Sequence, residues 1–159
     1  MKKIILVRHG YYNRGDGSLD KIGQLQIRAI GESIKSKLNE GESVQIMSST
    51  ARRAEQSAEI LTEILGVNFE RQPRLWTGSD KPRNITTSCE MVGDLIMDSK
   101  ADILILVLHL EYSDWLPRFI QDHIISGGSK FPSKETEKGQ AWLIDCKAKT
   151  CTLMTSRFC

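Results

Sequence analysis

The chain has little that would tie it to a membrane. Its longest apolar run is Ile103–Leu108, which is strand length and far below the roughly 20 residues a membrane-spanning helix requires. After Met1-Lys2-Lys3 only four apolar residues precede Arg8, too few for the core of a signal peptide. Both absences predict a cytoplasmic protein. Excess charge is also lacking: 22 Lys and Arg against 20 Asp and Glu leave a net charge of +2. That balance predicts neither nucleic acid nor a membrane surface as a partner, so an anionic ligand must be held by a local cluster. The four cysteines, Cys89, Cys146, Cys151 and Cys159, show no C-x-x-C spacing, which removes the usual zinc and redox motifs and predicts neither metal nor cofactor. Free thiols are expected in a reducing compartment. Cys146 and Cys151 flank a predicted turn, so a bridge between them is the alternative. Internal repeats and low-complexity segments are missing as well.

What remains is a chain of 159 residues, 40% apolar and 26% charged, enough for one domain over 1–159 with a real core. Strand and helix patterns alternate along it. Ile4-Ile5-Leu6-Val7 reads as a buried strand, and 20–38 as a helix with Leu25, Ile27, Ile30, Ile34 and Leu38 on or near one face. Residues 44–47 read as a second strand, Ser48-Ser49-Thr50 as a cap region, and 51–65 as a helix closed by Gly66. A third apolar piece lies at 67–69, followed by a long loop over 71–84 and a helix over 86–98. The fourth strand, Ile103–Leu108, is the plainest in the sequence. A helix over 112–124 follows, interrupted near its start by Pro117. Ser126-Gly127-Gly128-Ser129 forms a break, and 140–146 with 150–155 read as a hairpin. The prediction is an α/β fold, a three-layer α/β/α arrangement with a mostly parallel sheet and a C-terminal antiparallel hairpin.

In such folds ligands gather at the carboxyl ends of the strands. Arg8-His9-Gly10 follows the first strand, Ser48 to Arg53 the second, and His109 the fourth, so chemically competent residues recur at one edge of the sheet. The guanidinium fork of Arg8 suits phosphate oxygens, His9 is a candidate nucleophile for phosphorus, and Gly10 lets the backbone turn or approach an anion. By chance alone, an Arg-His-Gly triplet occurs in about one chain in a hundred of this size. Arg53 lies in the first turns of a helix, where unpaired N–H groups and the helix dipole favour an anion. His123 reads as a surface residue, and Trp76 and Trp115 as core or pocket wall.

These motifs together resemble the histidine phosphatase superfamily, the phosphoglycerate mutase-like family. Arg8-His9-Gly10 matches its signature triplet. Ser18-Leu19-Asp20-Lys21-Ile22-Gly23-Gln24-Leu25-Gln26 is similar to its Leu-Thr-x-x-Gly-x-x-Gln element. Ser48-Ser49-Thr50-Ala51-Arg52-Arg53-Ala54-Glu55-Gln56-Ser57-Ala58 is similar to its Ser-Ser-Pro-Leu-x-Arg-Ala-x-Gln-Thr-Ala run, and His109 aligns with its second histidine. Departures are also visible. Leu110 follows His109 where the family often has glycine, and the threonine and asparagine that often follow the triplet are missing from 11–15. Arg74-Leu75-Trp76-Thr77-Gly78 holds no counterpart of the catalytic glutamate of larger members, which makes the layout most like the small bacterial phosphohistidine phosphatases.

The resemblance implies a metal-independent phosphatase. His9 attacks phosphorus and forms a phosphohistidine intermediate, while Arg8, Arg53 and His109 bind the phosphoryl oxygens and His109, free to act protonated, is the second catalytic histidine. Asp80, Glu90 and Glu111 are the candidates for a substitute acid. The leading substrate is phosphohistidine in a protein. Alternatives are a phosphatase or mutase acting on a small phosphorylated metabolite or nucleotide, and a non-catalytic phosphate-binding adaptor.

Overall fold

Ile4, Ile5, Leu6 and Val7 are all buried, and they form the centre of the first strand, β1 (Lys3–Arg8), in a computed structural model that describes residues 1–76 and 84–156. Because side chains alternate along a strand, Ile4 and Leu6 enter one apolar cluster and Ile5 and Val7 another. β1 pairs in parallel with β4 (Ile103–Leu108), which pairs in parallel with β2 (Val44–Ser48), itself parallel to β3 (Phe69–Arg71). On its other side β1 takes β5 (Ala141–Asp145) antiparallel, and β6 (Thr150–Met154) closes the edge, giving the order β3-β2-β4-β1-β5-β6.

Helices α1 (Lys21–Ser36) and α2 (Arg52–Leu65) cover the face that carries Ile5 and Val7. α3 (Ile85–Asp98) and α4 (Leu110–Ile120) cover the face that carries Ile4 and Leu6. The predicted three-layer α/β/α fold is therefore present, with its hairpin joined to β1. No described helix is long and apolar enough to cross a membrane.

Local differences from the sequence reading have physical causes. Asp20 caps α1 by accepting from the Gly23 N–H at 2.7 Å, and Leu25 is exposed because helical spacing puts it on the side of α1 opposite Ile27, Ile30 and Ile34. Serine does not cap α2: its N-cap is Ala51, with no side-chain hydrogen bond, while Gly66 ends it in the left-handed region at φ 70°. Pro117 does not break α4. It lacks the N–H that the Ser113 carbonyl would accept one turn earlier, and the indole N–H of Trp142 donates to that carbonyl instead at 2.8 Å. Gln121–Ile125 then adds a single π-helical turn. The hairpin turn is held by Asp145, whose carboxylate accepts from the N–H groups of Lys147 and Ala148 at 3.0 and 2.8 Å. Cys89, Cys146 and Cys151 are free thiols, and burial pushes Cys151 up to about 12. Asp80 and Cys159 lie outside the described residues.

Candidate active site

Since β1, β2 and β4 run parallel, their carboxyl ends share one edge, and the residues that follow them meet there. His9 is buried directly after β1. Its Nδ1 lies 3.0 Å from the Gly10 carbonyl oxygen. A carbonyl only accepts, so Nδ1 carries the proton and Nε2 keeps a lone pair. Arg53 donates its Nε–H to that Nε2 at 3.1 Å. His109 is the N-cap residue of α4. Its Nε2 is 2.7 Å from Ser49 Oγ, and its Nδ1 is 3.5 Å from Arg53 Nη2. Guanidinium only donates, so in His109 it is Nδ1 that holds the lone pair, the opposite tautomer to His9, and Nε2–H donates to a serine oxygen that also accepts from Ala51 N–H at 3.2 Å. The two imidazoles face each other with ring centroids 5.1 Å apart.

Burial and neighbouring cations act in the same direction on both rings. Burial, followed by the charges of Arg53, Arg8 and Lys138, pulls His9 down to about 3, against a smaller opposing effect of its bond to Gly10. His109 is held well below the ordinary histidine value, by burial first and then by His9, Arg53 and Arg8. Both rings are therefore neutral in the free protein, and a protonated His109 is not its resting state. Arg8 donates from Nη1 to the Thr136 carbonyl, and its Nε is buried with no partner. Burial lowers its pKa, opposed by the nearby carboxylates of Glu135 and Glu111.

The remaining motif residues brace this arrangement. Gly10 meets Gly23 of α1 back to back: a Cβ on Gly10 would lie 2.6 Å from the Gly23 carbonyl oxygen, and one on Gly23 would lie 2.0 Å from that of Tyr11. Close packing of α1 against the triplet thus explains Gly10, where the sequence suggested approach to an anion. Gln26 Oε1 accepts from Tyr11 N–H at 3.0 Å and Gln56 Oε1 from Leu19 N–H at 2.6 Å, so the loop after β1 is tied to α1 and α2. Ser57 donates to the Arg53 carbonyl at 2.7 Å and accepts from Gly10 N–H at 3.4 Å. Arg52 is exposed and pairs with Asp16 at 4.0 Å, leaving Arg53 to face the histidines.

Arg8, His9, Arg53 and His109 line a single cleft of about 310 Å³. Trp76 is a wall of it, its ring 6.3 Å from that of His109 and inclined by 30°, and Leu110 fills the place expected for glycine. Of the candidate acids, Glu111 lines the cleft, Glu90 is exposed on α3, and Asp80 lies outside the described residues. Trp115 is exposed and borders a separate cavity, and His123 is exposed and stacks on Phe119 at 4.3 Å. The sequence reading missed Ser49, Tyr12, Arg14 and Lys138. Tyr12 and Arg14 follow the triplet closely enough to have been suspected, whereas nothing in the sequence brings Lys138 to β1. Among the described residues no group of three or more His, Cys, Asp or Glu side chains is arranged to hold a metal ion.

Comparison with known proteins agrees with this layout. Residues 4–76 match the family model of the histidine phosphatase superfamily, branch 1. No curated protein matches the chain. Among solved structures, a mycobacterial glucosyl-3-phosphoglycerate phosphatase in complex with VO3 superposes with a TM-score of 0.69 at 15% identity, over 98% of each chain. The protein histidine phosphatase SixA complexed with tungstate gives 0.68 at 18% identity, over 97% of each chain. A mycobacterial hydrolase gives 0.63 at 17% identity, over 90% of this chain and 91% of its own.

Proposed function

We infer that the chain belongs to the histidine phosphatase superfamily, whose family model matches residues 4–76, and that it is a phosphatase whose nucleophile is His9 and whose preferred substrate is phosphohistidine in a protein. The observation that carries this reading is the lone pair of His9 Nε2, fixed by the Nδ1–H bond to Gly10 and facing the Arg53 guanidinium in a cleft shared with Arg8 and His109. In the first step Nε2 bonds to phosphorus as the bond to the leaving group breaks. The Arg53 Nε–H moves from Nε2 to an incoming phosphoryl oxygen, Arg8 takes another, and His109 donates to the third once its Nδ1 has taken the proton of a phosphoryl monoanion, where charge spreads in a loose transition state. Phosphorylation leaves the imidazole cationic, and its Nδ1–H then donates a stronger, charge-assisted bond to the Gly10 carbonyl. Water attacks in the second step, the P–N bond breaks, and phosphate departs. The guanidinium groups supply the positive charge that a metal ion supplies elsewhere, so activity is expected to persist in a chelator.

The substrate preference rests on the leaving group. An alkoxide needs a positioned proton donor, an assistance worth about 10²–10⁴-fold. A phosphohistidine ring, whose other nitrogen solvent can protonate near neutral pH as in imidazole with its pKa near ~6.5, releases neutral imidazole without one. The likeness to SixA, named as a protein histidine phosphatase, supports the same preference, while the likeness to a sugar phosphoglycerate phosphatase supports the second reading, a small phosphorylated metabolite. Turnover of a phosphohistidine protein beside a set of alkyl and aryl phosphate monoesters tests the choice. Faster hydrolysis of an alkyl ester than of phosphohistidine would overturn it.

A further inference from the structure

The cleft holds more positive charge than one phosphoryl group requires. Among the described residues four cations, Arg8, Arg14, Arg53 and Lys138, line it against one carboxylate, Glu111. With both histidines neutral this leaves three positive charges, and a phosphoryl dianion accounts for two. One positive charge is left over, and the cations without an ion pair among the described residues are Arg14 and Lys138. Glu111 acts on Arg8 instead, whose protonated form it favours.

The Lys138 side chain is held in place, and so is the backbone turn that carries the exposed Arg14. Lys138 precedes Gly139, whose N–H donates to the carbonyls of Arg8 and His9 at 3.2 and 3.0 Å. Gly139 has φ 74°, and a Cβ there would lie 2.6 Å from Gln26, so that tether admits only glycine. The Lys138 ammonium lies over the rings of Tyr11 and Tyr12 at 5.1 and 5.2 Å. The Tyr12 ring also takes the Arg53 guanidinium at 4.7 Å and the edge of His9 at 5.3 Å, so one aromatic ring spaces Lys138 from the phosphoryl-binding group. Arg14 sits in a turn closed by Asn13, whose side chain accepts from Gly15 N–H at 2.8 Å and whose carbonyl accepts from Gly17 N–H at 2.8 Å.

We propose that Arg14 and Lys138 form a second anion site, for a carboxylate that the substrate carries beside the transferred phosphoryl group. The inference rests on the phosphatase reading. In a protein substrate the carboxylate is an acidic side chain near the phosphohistidine; in a small substrate it is the acid of a phosphorylated hydroxy acid.

Matched pairs test it: phosphohistidine peptides with Asp or Ala two residues from the modified histidine, and a phosphorylated hydroxy acid against the phosphorylated alcohol of the same length. The expected preference for the carboxylate member is about tenfold in kcat/KM, carried by KM and reduced by salt. Arg14→Ala with Lys138→Ala should bring the ratio to about one, and Arg14→Glu with Lys138→Glu should invert it, a change of sign that loss of folded protein cannot produce. Calorimetry with phosphonoacetate and ethylphosphonate makes the same comparison without turnover. Preference in the small pair with inert peptides would end the phosphohistidine reading and leave the second site standing. Equal treatment of both members of every pair by the wild type, or a preference that survives charge reversal, would overturn the second site.

Discussion

Keeping His9 neutral inside the protein has a cost in acid that can be measured. Its pKa is near 6.5 in an unfolded chain and about 3 in the folded one. As pH falls through 6.5 the unfolded chain takes up the proton and the folded chain does not. Stability present above pH 6.5 is therefore lost progressively towards pH 3. At pH 5 the unfolded state gains about 2 kcal/mol from this one proton, and at pH 7.5 almost nothing. His9→Gln removes the titration while leaving a side chain able to donate to the Gly10 carbonyl. Urea unfolding of wild type and variant at both pH values reads the effect: burial, the first cause of the low His109 pKa, is common to both, and relief of the His9 influence on His109 acts in the same direction. Whatever their difference at pH 7.5, it should shift by about 2 kcal/mol in favour of the variant at pH 5, roughly 1 M of urea at a slope near ~2 kcal/mol/M. A difference that stays the same at both pH values would mean that His9 titrates normally in the fold, and the account of its burial would be wrong.

Three further outcomes are expected. His9→Ala should abolish turnover and trap no phosphate in a base-quenched reaction, whereas Arg53→Ala should still trap it while losing about a hundredfold in rate, or ~3 kcal/mol of transition-state stabilisation. Gly23→Ala would put a Cβ 2.0 Å from the Tyr11 carbonyl oxygen, and should lower stability by about 3 kcal/mol, read as a fall in Tm with α1 displaced from the triplet. Rates should fall steeply as leaving-group pKa rises; if alkyl phosphates keep pace with phosphohistidine, Glu111→Gln should remove that activity selectively, since Glu111 is the described carboxylate in the cleft.

The parts of the fold readable from sequence were those set by local pattern. Ile103–Leu108 was found to the residue because an unbroken apolar run of that length fits a strand covered on both faces. The shared edge of Arg8, His9, Arg53 and His109 followed from parallel strands alone. Leu25 was misplaced because its apolar character outweighed its spacing, which at helical period sets it opposite Ile27, Ile30 and Ile34. Pro117 was overread because the group that replaces its lost bond, the Trp142 indole, comes from another part of the chain. Ser49 and Lys138 were invisible for the same reason: one acts through His109 and the other through a glycine tether to β1, contacts that only the tertiary fold creates.

The sheet order also dictates when the cleft can come into being. β1 leaves the ribosome before β4 and β5, yet it lies between them, with Lys3 paired to Ile103 on one side and to Asp145 on the other. Neither partner exists until most of the chain has been made, and both pairings close very long loops. Residues 4–76, which carry the family match, include β1, β2 and β3 but not the strand that joins β1 to β2. A nascent or truncated chain of that length therefore leaves both edges of β1 unpaired and its Ile4 and Leu6 face uncovered, because α3 and α4 are still missing. Synthesis of this protein passes through a long interval in which the proposed nucleophile already exists and its site does not.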